Sequence, residues 1–333
     1  MVLTTTKQSQ YIEKEGVMLK HVSLALAISL SYSSFAKGNE LNTLSTNATS
    51  PKLYQSVDWI ADGVFTQGVE GPAVDRKGTL YAVNFQEQGT IGKITAQAKS
   101  EQLLKLPNDS VGNGIRFDSE GNMYIADYVN HNILRVNSAY LNLDSHTEPH
   151  IQVYAHSPRM NQPNDLAIMT NGILLASDPD WANNSGQLWR IDKNHSVTLL
   201  EANMGTTNGI EVSPDNKTLY VNESVQRNVW QYRLSPDGRI SNKKLLIHFE
   251  DGGLDGMRTD KHGNLYIARY GKGVIAIVSP AGKLLREVQL KGQHPTNVAF
   301  GGTDGKTVFV TMQKRGAIEA FRSEYPGRSF VGN

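Results

Sequence analysis

One short phrase occurs six times in this chain of 333 residues, and each copy opens on a polar residue. The copies are Glu70-Gly71-Pro72-Ala73-Val74-Asp75, Asn113-Gly114-Ile115-Arg116-Phe117-Asp118 and Asn164-Asp165-Leu166-Ala167-Ile168, then Asn208-Gly209-Ile210-Glu211-Val212-Ser213, Asp255-Gly256-Met257-Arg258-Thr259-Asp260 and Asn297-Val298-Ala299-Phe300. Their starts, at residues 70, 113, 164, 208, 255 and 297, lie 43, 51, 44, 47 and 42 residues apart. Most copies continue into a turn (Lys77-Gly78, Glu120-Gly121, Asp215-Asn216, His262-Gly263) and an apolar strand such as Leu80-Tyr81-Ala82-Val83 or Leu265-Tyr266-Ile267-Ala268. A period of about 40–50 residues with four strands per unit predicts an all-β propeller of six four-stranded antiparallel blades.

The first unit reads as strands Gly71–Val74, Thr79–Val83, Ile91–Ile94 and Ser100–Leu104, with alternating polarity and Gly, Asp or Asn between them. No long amphipathic helix is expected between Tyr54 and Arg322. One blade cannot bury both faces, so six must pack around an axis. The last unit offers only Asn297–Phe300, Thr307–Thr311 and Ala317–Phe321, and Ser56-Val57-Asp58-Trp59-Ile60 precedes the first phrase as a spare strand. That N-terminal strand is expected to complete blade six and close the ring, which removes an open edge.

The repeat argues for one domain over about residues 54–323, where length alone suggests two. Net charge is +1 and no basic run occurs, which argues against a nucleic-acid partner. There is no cysteine, so disulfides, thiol nucleophiles and thiolate metal sites are excluded. Residues 1–36 read as a signal peptide: Lys20-His21, an apolar run Val22 to Leu30 too short to span a bilayer, and Ser34-Phe35-Ala36 as a cleavage site. Met18 is an alternative start, residues 37–53 read as a flexible lead-in, and residues 324–333 as a C-terminal tail. The expected location is periplasmic or secreted, without stable membrane insertion, as a monomer or small homo-oligomer.

The residue opening each phrase precedes the innermost strand, so six positions are expected on one rim of the channel: Glu70, Asn113, Asn164, Asn208, Asp255 and Asn297. Asn or Asp before Gly is also an ordinary turn former. Glu70 is not, and the register holds through six copies. Two carboxylates with amide oxygens make an oxygen-only site. It suits one divalent cation, Ca²⁺ first, with Mg²⁺, Mn²⁺ or Zn²⁺ as alternatives. Such a cation polarises a carbonyl, and a carboxylate beside it takes a proton from water. Asp255 is the better base, because its shorter side chain leaves room. Trp181, in Asp178-Pro179-Asp180-Trp181, is read as a wall of the mouth, and Arg269 and His294 as groups facing a substrate. Arg258 is the weaker candidate beside Arg269, and the turn holding His131 is expected away from the rim. No Gly-x-Ser-x-Gly elbow supports serine catalysis.

These segments resemble the gluconolactonase/regucalcin-like (senescence marker protein) family of six-bladed propeller hydrolases. The match rests on Glu70-Gly71-Pro72, Pro163-Asn164-Asp165-Leu166, Asn208-Gly209-Ile210-Glu211-Val212-Ser213-Pro214-Asp215, Leu254-Asp255-Gly256-Met257 and Pro295-Thr296-Asn297-Val298-Ala299-Phe300-Gly301-Gly302. The resemblance implies a calcium-dependent lactonase with metal ligands Glu70, Asn164, Asn208 and Asp255, Asp255 as general base and a small lactone as substrate. It makes Asn113 a substrate-pocket residue. Gln162 stands where animal members carry an Arg that contacts sugar acids, which points to a different or less anionic lactone. Aryl ester or phosphotriester hydrolysis on the same ring, or a binding propeller with a structural metal, stay open as alternatives.

Overall fold

The computed structural model describes residues 50–141 and 150–330. The signal-peptide reading over 1–36 and most of the lead-in lie outside the described residues. Six four-stranded antiparallel sheets follow one another along the chain. Blade one is Phe65–Val74, Leu80–Phe85, Thr90–Ile94 and Ser100–Lys105, and blade two Gly112–Phe117, Met123–Asp127, Asn132–Val136 and Ile151–His156. Blade three is Leu166–Ile168, Leu174–Asp180, Ser185–Ile191 and Val197–Met204, and blade four Thr207–Val212, Thr218–Glu223, Asn228–Leu234 and Ile240–His248. Blade five is Gly253–Thr259, Leu265–Tyr270, Val274–Val278 and Leu284–Gln289. Blade six, Pro295–Gly301, Thr307–Met312 and Ala317–Arg322, takes Val57–Ile60 as its outer strand, with Val57 opposite Ala320 and Ile60 opposite Ile318. Each inner strand neighbours the next, and the first neighbours the sixth, so the ring is closed. Among the described residues the only helices are the single turns Ser138–Leu141 and Gln313–Arg315, and none is long and apolar enough to cross a membrane.

The sequence chemistry explains the hairpins. The phrase-ending aspartates fold the turn between first and second strands: Asp75 Oδ1 accepts from the Lys77 and Thr79 amides, and Asp118 Oδ1 from Glu120 and Asn122, all at 2.9 Å. The glycine that follows, Gly78 or Gly121, takes the left-handed φ of 83° or 81° that the turn needs. Tyr81 and Tyr124 return their hydroxyls to the same aspartates. The apolar faces then pack blade against blade. Six hydrophobic clusters fill the six interfaces, so the core is a ring of seams around the axis.

Two features of the inner strands differ from expectation. The phrase-opening residues mostly lie within these strands, at breaks in the register: around Glu70, between Gly112 and Ile115, between Thr207 and Ile210, between Leu254 and Met257, and between Pro295 and Asn297. A bulge re-aims a side chain that would otherwise follow the pleat, and here it turns the polar residue toward the axis. Four openers are followed by a glycine, and these glycines sit at close contacts between blades. A Cβ on Gly71 would sit 1.9 Å from the Asn113 carbonyl, one on Gly209 2.5 Å from the Asp255 carbonyl, and one on Gly256 1.8 Å from Asn297 Cγ. These glycines let neighbouring blades approach where the wedge is narrowest.

The segment after blade six does not hang free. The Arg328 amide donates to the Thr259 carbonyl at 3.0 Å, and its guanidinium reaches the Ile168 carbonyl at 2.8 Å and Glu211 at 2.9 Å. Pro326 and Gly327 bond Lys261 and Gly305. This segment thus ties blades three to six together at the end of the channel opposite the phrase openers.

Candidate metal centre in the central channel

Glu70, Asn164 and Asn208 are buried, at 7%, 5% and 2% exposure, while Asp255 is partly exposed. Glu70 Oε2 accepts the Gly71 amide and Asn297 Nδ2, the latter at 3.2 Å. The Asn208 side chain hydrogen-bonds the Asp255 carboxyl, and the Gly256 amide donates to Asp255 Oδ1 at 3.0 Å. What is left over is informative. Glu70 Oε1, Asn164 Oδ1 and Asn208 Oδ1 are buried without a hydrogen-bond partner. All three are oxygens of residues expected to bind metal.

The electrostatics agree. Burial raises the Glu70 carboxyl, and the nearby Asp165 charge adds to it. Burial also raises Asp255 well above the ordinary carboxyl range, with Glu70 as the next cause. Two carboxyls this close in a buried setting resist ionising together without a counter-charge. Three orphaned acceptors and two such carboxyls are the needs that a hard divalent cation meets, so the residues fit one. Among the described residues no three His, Cys, Asp or Glu side chains converge on a metal position, so amide oxygens must share the task.

One step deeper lies a charged tier. Asp165, fully buried, accepts from Arg116 Nη1 at 3.0 Å and Arg258 Nη1 at 3.2 Å. The two guanidinium groups hold its carboxyl below the usual range against the cost of burial. Arg258 therefore lies in the channel and Arg269 does not, which reverses the sequence ranking of the pair. Arg269 stacks its guanidinium 3.7 Å from the Phe249 ring and pairs with Asp251 at 2.8 Å and Glu287 at 3.5 Å, so its expected contact with a substrate is not met.

The other expected substrate residues lie on the ring's side of the molecule. Asn113 Nδ2 donates to the Asn164 carbonyl at 3.0 Å and ties two blades at the rim. The Gln162 amide is held by Asp178 at 2.6 Å, and the same carboxyl takes Gln187 Nε2 and Trp189 Nε1 at 2.8 Å. Asp178 is thus an anchor for the loop before Asn164. Trp181 is half-buried in the turn between second and third strands of blade three. His294 packs its ring 4.8 Å from that of Tyr270, whose phenol donates to Gln313 at 2.5 Å. Burial and the nearby Asp255 push that phenol up to about 12, which places Tyr270 beside the ring.

The turn carrying His131 lies on the ring face, contrary to expectation. The Tyr128 amide donates to the Val111 carbonyl at 2.9 Å, at the entry to blade two's inner strand. The reason is strand direction: the first strand leaves the ring face and the second returns to it. Sequence reasoning also missed Asn222, which accepts from the Gly209 amide and donates to the Asp255 carbonyl at 2.6 Å. It missed Asp165 too, although Asp165 stands where four other phrases have glycine, and that departure was the available signal.

Comparison with known proteins adds a family. The model described as the SMP-30/Gluconolactonase/LRE-like region matches residues 69–314. A 6-deoxy-6-sulfogluconolactonase of Pseudomonas putida is 31% identical over 146 residues, 43% of this chain and 50% of that relative. The chain therefore spans half the length of that relative. A gluconolactonase of Zymomonas mobilis is 27% identical over 279 residues, covering 74% and 76%. A diisopropyl-fluorophosphatase of Loligo vulgaris is 24% identical over 291 residues, covering 78% and 90%.

Proposed function

The chain belongs to the SMP-30/Gluconolactonase/LRE-like family, and we propose that it is a hydrolase that opens a small lactone to its hydroxy acid at a divalent cation. Glu70, Asn164, Asn208 and Asp255 would hold the cation, with calcium the first candidate because all the donors are oxygen. The observation that carries this reading is the set of three buried, unpartnered oxygens on Glu70, Asn164 and Asn208. A binding propeller without a cation has no use for them, because each costs about 1–3 kcal/mol when left unmet.

When bound, the cation supplies a Lewis acid to the lactone carbonyl. The rest falls to the chain. Asp255 is the least buried member of the set, and its carboxylate would meet the attacking water. It takes the proton as the oxygen–carbon bond forms, and returns it to the ring oxygen when the acyl bond breaks. Asn208 and the Gly256 amide hold that carboxylate, and Asn222 holds the backbone behind it. Tyr270 and His294 flank Asp255 as an aromatic wall, and Gln162 and Trp181 edge the mouth from blade three. Gln162 is neutral where animal members of the family carry an Arg, which favours a neutral lactone over an anionic one.

The test is hydrolysis of aldonolactones and of aliphatic and aromatic lactones, before and after chelation and with Ca²⁺ restored. Turnover that chelation removes and Ca²⁺ restores is expected, and chelator-insensitive turnover would refute the assignment. A phosphotriester substrate is the second reading. The squid fluorophosphatase, matched over 90% of its length, supports it, and a fluorophosphate in the same panel distinguishes the two.

A further inference from the structure

We propose that Asn297 and Asp165 are positioning residues that decide which oxygen of Glu70 faces the cation, an inference that rests on the metal reading above. Glu70 has two carboxylate oxygens, and the channel treats them differently. Oε2 is taken by the Gly71 amide and by Asn297 Nδ2, whereas Oε1 has no partner. Asn297 is fully buried, and its amide cannot turn over. Its Oδ1 accepts the Val298 amide at 2.9 Å, while its Nδ2 lies 3.2 Å from Glu70 Oε2 and 3.4 Å from Asp165 Oδ2. A flipped amide would set an oxygen against two carboxyls and strand the Val298 N–H.

Asp165 fixes the far side of that contact. Its Oδ1 is occupied by the Leu166 amide at 2.9 Å and by Arg116, and its Oδ2 by Arg116, Arg258 and Asn297. With both oxygens filled it is no ligand, and it is held still. The space for this tier is built into the phrases. A Cβ on Gly256 would sit 1.8 Å from Asn297 Cγ, and one on Gly114 2.6 Å from Asp165 Oδ1. Blade six thus reaches blade one's ligand through Asn297, and blade three steadies both through Asp165. The arrangement leaves a single lone oxygen of Glu70 for the cation and prevents the carboxylate from rotating away from it.

The test uses the full chain, stripped of metal and titrated with Ca²⁺ by calorimetry, with a thermal melt of the stripped form alongside. Asn297→Ala is expected to raise the Ca²⁺ dissociation constant about tenfold or more, the usual effect of losing an outer partner of a ligand. The Ca²⁺ concentration giving half-maximal turnover should rise in step, with the lactone KM unchanged. Asp165→Asn keeps the shape and leaves Arg116 and Arg258 short of counter-charge; it should weaken Ca²⁺ to a similar degree, and it carries the test if Asn297→Ala does not fold. Thr296→Val removes a neighbouring buried hydrogen bond to the Val69 carbonyl and should lower the melting point without moving the dissociation constant. Unchanged Ca²⁺ affinity in either folded variant overturns the inference alone. A wild-type protein that binds no divalent cation overturns the metal reading and the inference together.

Discussion

The metal-free protein should lose stability as pH rises through neutrality, against the habit of most proteins. Glu70 has an ordinary value of 4.5 and is raised to about 8 in the fold, and Asp255 is shifted in the same direction. Between those limits the folded chain binds a proton that the unfolded chain has lost. Stability is then fully present below the unfolded value and falls as pH climbs through the folded one. Each unit of pH in that window costs about 1.4 kcal/mol per proton, so Glu70 alone accounts for roughly 5 kcal/mol across it. For a propeller of this size that is about 10 °C in Tm. Asp165 is held low and stays ionised throughout, so it adds no slope. His294 is held below its ordinary 6.5 by burial and by Lys314, and works in the opposite sense at lower pH. The clean window is therefore about pH 6.5 to 8. The assay is a melt of chelated protein by circular dichroism at steps through this window, repeated with Ca²⁺. Calcium at about 100 times its dissociation constant should add about 2.7 kcal/mol and flatten the slope, since both carboxyls then stay ionised. A chelated Tm that is level or rising from about pH 6.5 to 8 would refute the reasoning.

Asp255→Ala should cut kcat/KM for lactones by about a thousandfold or more, while the chelated variant melts no lower than wild type at neutral pH because one of two repelling carboxyls is gone. Gly256→Ala should cost about 3 kcal/mol or prevent folding, since its Cβ would meet Asn297. Gly271→Ala, with φ of 81° and nothing within 4 Å, should cost only about 1 kcal/mol of backbone strain by the same melt. Arg269→Met should lower Tm through its lost stacking on Phe249 yet leave the lactone KM unchanged; a raised KM would return Arg269 to the pocket.

The blades and their closure were legible because the turn chemistry is local. Asp75, Asp118 and their glycines sit at fixed offsets, and Val57–Ile60 had no other partner to expect. The shared position of the expected ligands was legible for the same reason: Glu70, Asn164, Asn208 and Asp255 open the phrases of blades one, three, four and five at one register position. What the chain hid depends on contacts between units. That Gly256 makes room for Asn297, or that Asp165 collects Arg116 and Arg258, is a property of neighbouring inner strands and of no single repeat. Arg269 misled because a strand-ending arginine fits the channel and the blade face equally well from sequence. His131 was misplaced by losing track of strand direction, an error that counting turns from the ring would have avoided.

Five blades are each made from consecutive residues, but the sixth borrows Val57–Ile60 from the opposite end of the domain. During synthesis those four residues emerge early and wait for Ala317–Arg322 before they find a partner. An interval this long makes closure the late, slow event. Until it happens, the two end blades each show an apolar flank to solvent, and Asn297 cannot reach Glu70. The same last step that seals the cylinder would therefore finish the proposed metal centre, so a chain that stalls before it should be both sticky and inactive. A circular permutant opened at Lys77-Gly78, with the old ends joined, would make blade six contiguous and pass the waiting to blade one.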